Sequence, residues 1–175
     1  MLVDLSELIS LEGKVIAQDI PLEMKEFKTK LATYKVSDSK PMKFRFTSLG
    51  NKKVVIDAEL DITLLMPCDR CLEDVHKNIK LDTSLEVNLG DTDITRALEL
   101  DEMTYMSGTV FDAEKYAYGE ILVNLPMKVL CRNDCKGICN RCGTNLNHGD
   151  CGCDTTELDP RMAKAMEVFK SFKEV

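Results

Sequence analysis

Regular alternation of hydrophobic and polar residues predicts three consecutive β-strands in the middle of the chain. Every second residue is apolar over 42–46, again over 54–66, and again over much of 75–87. This two-residue period is that of a strand with one buried and one solvated face. The Gly50-Asn51 pair between the first two segments is a turn signal. The pattern therefore predicts an antiparallel β-meander, whose longest buried face holds Val54, Ile56, Ala58, Leu60, Ile62, Leu64 and Met66.

Two helices are predicted after the strands. Asp112 is a favourable N-cap, and an apolar stripe then continues to Leu125, where Pro126 ends the helix. Asp159-Pro160 opens a second helix. Its apolar residues recur at helical spacing and are Met162, Ala165, Met166, Phe169 and Phe172. We expect the first helix to cover the sheet and the second to pack on the same core.

Two other regions have weaker patterns. The first forty residues mix aliphatic and charged residues irregularly, and we expect only a short strand and a loop there. Residues 88–108 are acidic and weakly patterned, which favours a long surface loop or a short irregular excursion. The sheet is therefore expected to be organised by the three central strands.

The composition suits a protein with one hydrophobic core. Of the 175 residues, 44% are hydrophobic, enough for one domain with an appendage. No positive charge precedes Lys14, and no stretch reaches the ~18 uninterrupted apolar residues that a bilayer span requires. We therefore expect a cytoplasmic protein without a membrane segment. Because the cytosol keeps thiols reduced, the eight cysteines point to metal or redox chemistry and not to disulfides.

The first cysteine pair, Cys68 and Cys71, lies between the second and third predicted strands. Two intervening residues let both sulfurs turn toward one point, and tetrahedral zinc with Zn–S bonds of ~2.3 Å needs sulfurs about 3.7 Å apart. Redox pairs of the thioredoxin type share this spacing, but they lie at the N-terminus of a helix within a βαβ unit. Since an antiparallel hairpin offers no such helix, zinc is the preferred interpretation.

The other six cysteines fall within residues 131–153, a segment without the hydrophobic run that a core would need. Cys139 and Cys142 are followed by Gly143, which permits the positive φ of a zinc knuckle. The predicted grouping is one site of Cys139, Cys142, Cys151 and Cys153 and another of Cys68, Cys71, Cys131 and Cys135. Exchange of Cys135 with another ligand, or a single zinc ion with spare thiols, stays open.

A different metal centre competes with this grouping. The run from Cys135 to Cys142 fits CxxxCxxC, the spacing by which radical enzymes hold a [4Fe–4S] cluster. Too few residues follow Cys142 for the barrel that such enzymes build, although a simpler iron–sulfur role stays open. His76 is expected on a solvated strand face and His148 in a solvated loop, where His148 is the better placed substitute ligand. Closed four-thiolate sites leave no open position for water or substrate, so we expect no enzyme and no small-molecule substrate.

The sequence resembles the bacterial YceD family, named for accumulation of large ribosomal RNA. The likeness lies in CDRCLEDV, in ILVNLPMKVLCRNDCKGICNRCGTNLN and in CGCDTTELDPRMA, so it covers most of the chain from Met66 onward. The resemblance implies a role in 23S ribosomal RNA accumulation, and thus in making or protecting the large ribosomal subunit, without a known enzymatic step. Family genes commonly neighbour that of a large-subunit ribosomal protein. Some members keep only the first CxxC pair, which agrees with two separable sites.

The charge distribution bears on the partner of such a factor. The net charge of -7 argues against indiscriminate adhesion to nucleic acid, and residues 82–120 are strongly acidic. A local basic patch could still contact ribosomal RNA, and the acidic middle suits a basic large-subunit ribosomal protein. The candidate RNA-binding residues are Lys43, Arg45, Lys52, Lys53, Arg132, Lys136 and Arg141. A thiol redox or iron–sulfur protein is the alternative function.

The predicted fold class is therefore α+β: an antiparallel β-meander sheet covered by one or two helices, with a C-terminal Cys-rich zinc-binding segment that holds one or two ions. The expected divisions are residues 1–130 for the sheet core with its covering helix, 131–154 for the zinc-binding segment, and 155–175 for a C-terminal helix packed on the core.

Overall fold

The computed structural model describes residues 1–89 and 105–153, together with Met162. Its strands are β1 (Leu2–Asp4), β2 (Val15–Ile20), β3 (Glu26–Lys28), β4 (Thr33–Ser39), β5 (Met42–Gly50), β6 (Lys53–Pro67), β7 (Asp74–Asn88), β8 (Met106–Ser107) and β9 (Val110–Asp112). Two short helices lie within 1–89 and 105–153, namely α1 (Ser6–Ser10) and α2 (Ala113–Val123). The protein is thus mostly antiparallel β-structure, as the meander predicted.

Strand β6 is the centre of a six-stranded antiparallel sheet. One of its edges pairs with β7 along its whole length. The other edge pairs with β5 over residues 53–59 and with β4 over residues 62–65. Strand β2 extends the sheet beyond β5, and β3 extends it beyond β4. The consecutive pairs β5–β6 and β6–β7 confirm the predicted meander, while a separate three-stranded sheet has the order β1-β9-β8.

The alternating sequence of β6 decides which face of the sheet is buried. All seven apolar residues predicted for its inner face are buried, whereas the residues between them are exposed or half-buried. Strand pairing places apolar residues of β7 beside them, so Leu60 lies opposite Leu81 and Ile62 lies opposite Ile79. Burial of branched side chains across paired strands is the main source of sheet stability.

The β5–β6 turn differs in detail from the prediction. The two residues that turn the chain are Asn51 and Lys52, both with positive φ, as in a type I′ hairpin turn. Gly50, also with positive φ, pairs with Lys53 beyond a register shift in the ladder. Leu49 has no partner at this shift, so a bulge lies beside the turn.

Helix α2 covers the inner face of the sheet, as predicted. Asp112 caps it by accepting hydrogen bonds from the backbone N–H groups of Glu114 and Lys115. The helix ends at Val123, slightly before the predicted end at Leu125. Tyr116 is buried, and its hydroxyl lies 2.9 Å from the hydroxyl of Thr83 on β7. This contact joins the helix to β7.

The expectation for the first forty residues was wrong. This region contributes β1 to β4 and α1 in place of a short strand and a loop. Strand β2 pairs with β5 along its length, and β4 pairs with β6 across a register shift. The reason is that these strands take their register from neighbours with strong alternation, so their own weak pattern suffices.

Several sequence predictions concern parts of the chain outside the described residues. The stripe of the predicted C-terminal helix lies there, except for Met162, as does most of the acidic 88–108 region. Within the described part of that region, Met106–Ser107 forms a strand and not a loop. The division at 130, 154 and 155 stays a prediction. In the part of the chain that the structure describes, no helix has the length and apolar character needed to cross a membrane.

Candidate metal centre

The turn between β6 and β7 brings Cys68 and Cys71 to one point. The backbone N–H of Cys68 donates to Glu73 O at 2.8 Å, and the N–H of Leu72 donates to Cys68 O at 2.9 Å. Leu72 has a φ of 63°, a left-handed backbone conformation that residues other than glycine seldom adopt. The chain thus curls around the two sulfurs as it does in a metal knuckle.

Four sulfurs gather at this turn, and we name Cys68, Cys71, Cys131 and Cys135 the first cluster. All four Sγ atoms lie within 4.8 Å of one another. The Cys71–Cys131 pair is 3.5 Å apart and the Cys68–Cys135 pair 3.9 Å apart. These separations match the ~3.7 Å of a tetrahedral metal site and far exceed the ~2.05 Å of a disulfide. All eight cysteines are free thiols.

Backbone contacts hold the later segment against the hairpin. Asp69 N–H donates to Val129 O at 2.8 Å, and the Asp69 carboxylate accepts from Val129 N–H. Arg70 Nη1 donates to Cys135 O at 2.7 Å, and Ile138 N–H donates to Arg70 O at 3.0 Å. The two ligand-bearing segments are therefore joined on both sides of the sulfurs, which positions Cys131 and Cys135.

A second cluster consists of Cys139, Cys142, Cys151 and Cys153, whose Sγ atoms also lie within 4.8 Å of one another. Gly143 N–H donates to Cys139 O at 2.9 Å, and Gly143 has a φ of 74°. Gly143 therefore has the same backbone hydrogen bond and positive φ as Leu72 in the first turn, and it is the glycine that the sequence analysis assigned to a knuckle. Cys142 is exposed, so the second cluster is more accessible than the first, where only Cys131 is not fully buried.

The pKa values of the four thiols in the first cluster are shifted in opposite directions, because neighbouring thiolates disfavour each other's negative charge. Burial opposes the Cys68 thiolate, but N–H groups of Arg70, Cys71 and Cys131 outweigh it and lower the pKa of that thiol to about 6. The Glu73 N–H favours the Cys71 thiolate, yet burial and the neighbouring sulfurs prevail and raise the pKa of Cys71. A hydrogen bond from the Asn147 side chain lowers the pKa of Cys135, and burial raises that of Cys131.

The second cluster divides in the same way. Contacts with the hydroxyl and N–H of Thr144 lower the pKa of Cys142 to about 6. Hydrogen bonds with Cys142 and Cys151 raise the pKa of Cys153 to about 12. The pKa of Cys139 is lowered and that of Cys151 raised. Four adjacent sulfurs cannot all be anionic without a cation, and such donor sets fit a divalent ion.

The structure therefore brings the cysteines together in the two groups that the sequence predicted, and each group could hold a metal ion. Four thiolates complete a tetrahedral coordination sphere and leave no position for a substrate. The CxxxCxxC run does not act as one unit, because Cys135 lies in the first cluster while Cys139 and Cys142 lie in the second. A metal ion in either group would cross-link the chain.

Neither histidine belongs to the metal-ligand groups found among the described residues. His76 Nδ1 lies 3.1 Å from Ser37 Oγ on the solvated side of the sheet. His148 Nε2 lies 2.6 Å from Glu73 Oε1, and Cys71 Sγ donates to the other oxygen of Glu73 at 3.5 Å. His148 and Glu73 thus stand one contact away from the sulfurs. Spacing along the chain did not indicate the contact between His148 and Glu73, because these two residues are distant in sequence and meet only in the folded protein.

The basic residues on the sheet are matched by acidic ones. Lys43 forms an ion pair with Glu59 at 3.1 Å, and Lys53 forms one with Glu86 at 2.8 Å. Arg45 lies opposite Asp57 in the β5–β6 ladder. These cross-strand pairs reduce the positive potential of this face, and Lys52 in the turn is exposed.

The basic residues of the metal segment lie at the other end of the sheet. Arg132 pairs with Asp134 at 3.4 Å, and Lys136 and Arg141 are exposed. Lys52 and Lys53 lie at the start of β6, whereas the first cluster follows its last residue, Pro67. At ~3.3 Å per residue, β6 separates these ends by about 45 Å. Lys52 and Lys53 therefore do not share one basic patch with the metal segment, and RNA binding by any of the candidate residues stays a prediction.

Comparisons with known proteins agree with the cysteine pattern. The family model of "Large ribosomal RNA subunit accumulation protein YceD" matches residues 56–169, which include both clusters and most of the β6–β7 hairpin. Uncharacterized proteins of Mycobacterium bovis and Mycobacterium tuberculosis are each 29% identical over 102 residues, or 58% of this chain and 49% of the relative. An uncharacterized protein of Mycobacterium leprae is 26% identical over 121 residues, or 68% of this chain and 54% of the relative.

The chain spans about half the length of these curated relatives. No solved structure matches it. The family model covers well over half of the chain and includes every cysteine of the two clusters. The chain therefore belongs to the YceD family of large ribosomal RNA subunit accumulation proteins.

Proposed function

We propose that this protein is a non-catalytic factor that supports 23S ribosomal RNA accumulation and large-subunit biogenesis through a surface stabilised by two zinc ions. The observation that carries the proposal is the pair of four-cysteine clusters within the part of the chain that matches the family model. Membership of the family supports the ribosomal role. The partner is ribosomal RNA, a large-subunit ribosomal protein, or both.

Three features favour zinc over a redox or iron–sulfur function. Both clusters have the separation and number of thiolates that closed zinc sites use. Cys68 and Cys71 lie in a hairpin turn, without the helix N-terminus that activates thioredoxin-type pairs. The three cysteines of the CxxxCxxC run belong to different clusters. Zinc held by four thiolates supplies a closed and redox-inert cross-link.

The first cluster supports a stabilising role most directly. Cys68 and Cys71 belong to the sheet hairpin, whereas Cys131 and Cys135 belong to the later segment. Structural zinc binding is worth on the order of 10 kcal/mol, which is comparable with the stability of a whole domain. A metal ion in the first cluster would therefore hold the later segment against the sheet hairpin, because both segments supply two of its ligands.

Elemental analysis of protein purified without added metal tests the zinc proposal. We expect two zinc ions per chain, and Cys142→Ser should leave one because it removes one ligand of the second cluster. Retention of both ions in Cys142→Ser would contradict the grouping. A coloured protein that contains iron, or protein without metal, would support the alternative redox function.

Depletion in the native bacterium tests the ribosomal proposal. We expect sucrose gradients to show incomplete large subunits and RNA gels to show less mature 23S RNA. Unchanged gradients and RNA levels would contradict the proposal. Complementation with Lys52→Ala/Lys53→Ala and with Lys136→Ala/Arg141→Ala then asks which end of the sheet contacts the partner. These matched pairs each remove two positive charges from opposite ends of the sheet.

A further inference from the structure

Asn147 connects the second cluster with the first. It lies in residues 143–150, the loop between Cys142 and Cys151, which are both ligands of the second cluster. Its side chain nevertheless reaches the first cluster, where Asn147 Nδ2 donates to Cys135 Sγ at 3.2 Å. Asn147 therefore lies between two ligands of the second cluster in the sequence, while its side chain contacts a ligand of the first cluster.

Two donors to its oxygen fix the orientation of this amide. The Lys136 N–H donates to Asn147 Oδ1 at 2.8 Å, and Arg132 Nη2 donates to the same oxygen at 3.0 Å. Because the oxygen accepts both bonds, the NH₂ group faces the sulfur. An N–H group that donates to a thiolate sulfur stabilises the negative charge on that sulfur.

Ligands of the second cluster flank this loop on both sides. No residue of 143–150 is fully buried, so packing does little to hold the loop. Bonds from Leu146 N–H to Gly137 O and from Cys139 N–H to Thr144 O, both at 2.8 Å, tie the loop to residues 137–139. His148 Nε2, 2.6 Å from Glu73 Oε1, ties it to the hairpin. Metal in the second cluster would fix both ends of the loop, at Cys142 and Cys151, and so restrict the loop further.

We propose that Asn147 is a positioning residue that couples the two metal sites, so that metal in the second cluster holds its amide against Cys135 and tightens binding at the first. This inference rests on the proposed metal binding. Hydrogen bonds to ligating atoms commonly change metal affinity by about 10–100-fold. Since coupling is reciprocal, metal in the first cluster tightens the second by the same factor.

Chelator competition on the full chain loaded with ¹¹³Cd tests the coupling, because NMR follows the two sites as separate resonances. We expect Asn147→Ala and Cys142→Ser each to weaken the first cluster by about 10-fold or more. The variant with both substitutions should lose no more than either single variant, because both act through the same bond. Additive losses, or a first cluster unaffected by Asn147→Ala, would overturn the proposal.

Asn147→Asp separates the sulfur contact from a merely structural role. Aspartate keeps an oxygen for Lys136 N–H and Arg132 but places a second oxygen beside Cys135. We expect first-cluster affinity to fall at least as far as in Asn147→Ala, whereas wild-type affinity would show that the residue only shapes the loop. Asn133→Ala is the matched control, an exposed asparagine between two ligands of the same cluster, and it should leave the affinity unchanged. Failure to bind metal at all would instead refute the proposed function.

Discussion

Replacing Gly137 with alanine is expected to break the contact between the metal segment and the hairpin. Gly137 is buried with a φ of +80°, and a Cβ there would lie 2.9 Å from the carbonyl oxygen of Arg70. That oxygen accepts the hydrogen bond from Ile138 N–H. Any displacement of the backbone therefore also weakens the link that positions Cys135.

The expected magnitude has two parts. A residue with a side chain in the left-handed conformation costs about 1–2 kcal/mol, and forcing a methyl group into a packed contact costs a further ~1–3 kcal/mol. Gly108→Ala provides the matched control, because Gly108 has a φ of +61° and nothing within 4 Å of the added Cβ. Its cost is therefore only the backbone part.

Urea unfolding of metal-loaded protein measures both variants. Gly137→Ala should lower the free energy of unfolding by about 2–5 kcal/mol, and metal affinity of the first cluster should fall with it. Gly108→Ala should lower the free energy by about 1–2 kcal/mol without changing the affinity. Equal losses in the two variants would refute the idea that Gly137 is required by the close approach of Arg70.

Two smaller predictions concern the sheet. Tyr116→Phe removes the hydroxyl that lies 2.9 Å from Thr83 Oγ1 and should lower the free energy of unfolding by about 1 kcal/mol; a neutral result in urea unfolding would show that this bond does not fix α2. The hydrogen bond from Lys40, 2.6 Å from Asp61, lowers the pKa of the Asp61 carboxyl. The Asp61 carboxylate therefore stabilises the folded state at pH values above the pKa that Asp61 has in the unfolded chain. This stabilisation is lost as the pH falls through the lower pKa of Asp61 in the folded protein. Lys40→Ala should raise the Asp61 pKa in an NMR titration, and an unchanged value would contradict this cause.

The sequence alone determined the features that depend on local pattern. The inner face of β6, the meander and the Asp112 cap follow from alternation and capping chemistry within short segments. The grouping of cysteines also followed from spacing, because knuckle ligands lie close together along the chain and the remaining two pairs had only each other as partners. Short-range geometry leaves few alternatives in such cases.

Only the tertiary structure decided the features that depend on distant pairing. Strands β2 and β4 have weak alternation, and the ladders of β5 and β6 supply their register. The sequence was compatible with one basic patch, but the length of β6 separates Lys52 and Lys53 from the basic residues of the metal segment. The contact of Asn147 with Cys135 likewise forms only where two loops meet, and an asparagine at position 147 does not by itself indicate a contact with a cysteine. The physical reason is the same in each case: hydrogen bonds and charges act over a few ångströms, and the folded backbone decides which residues come that close.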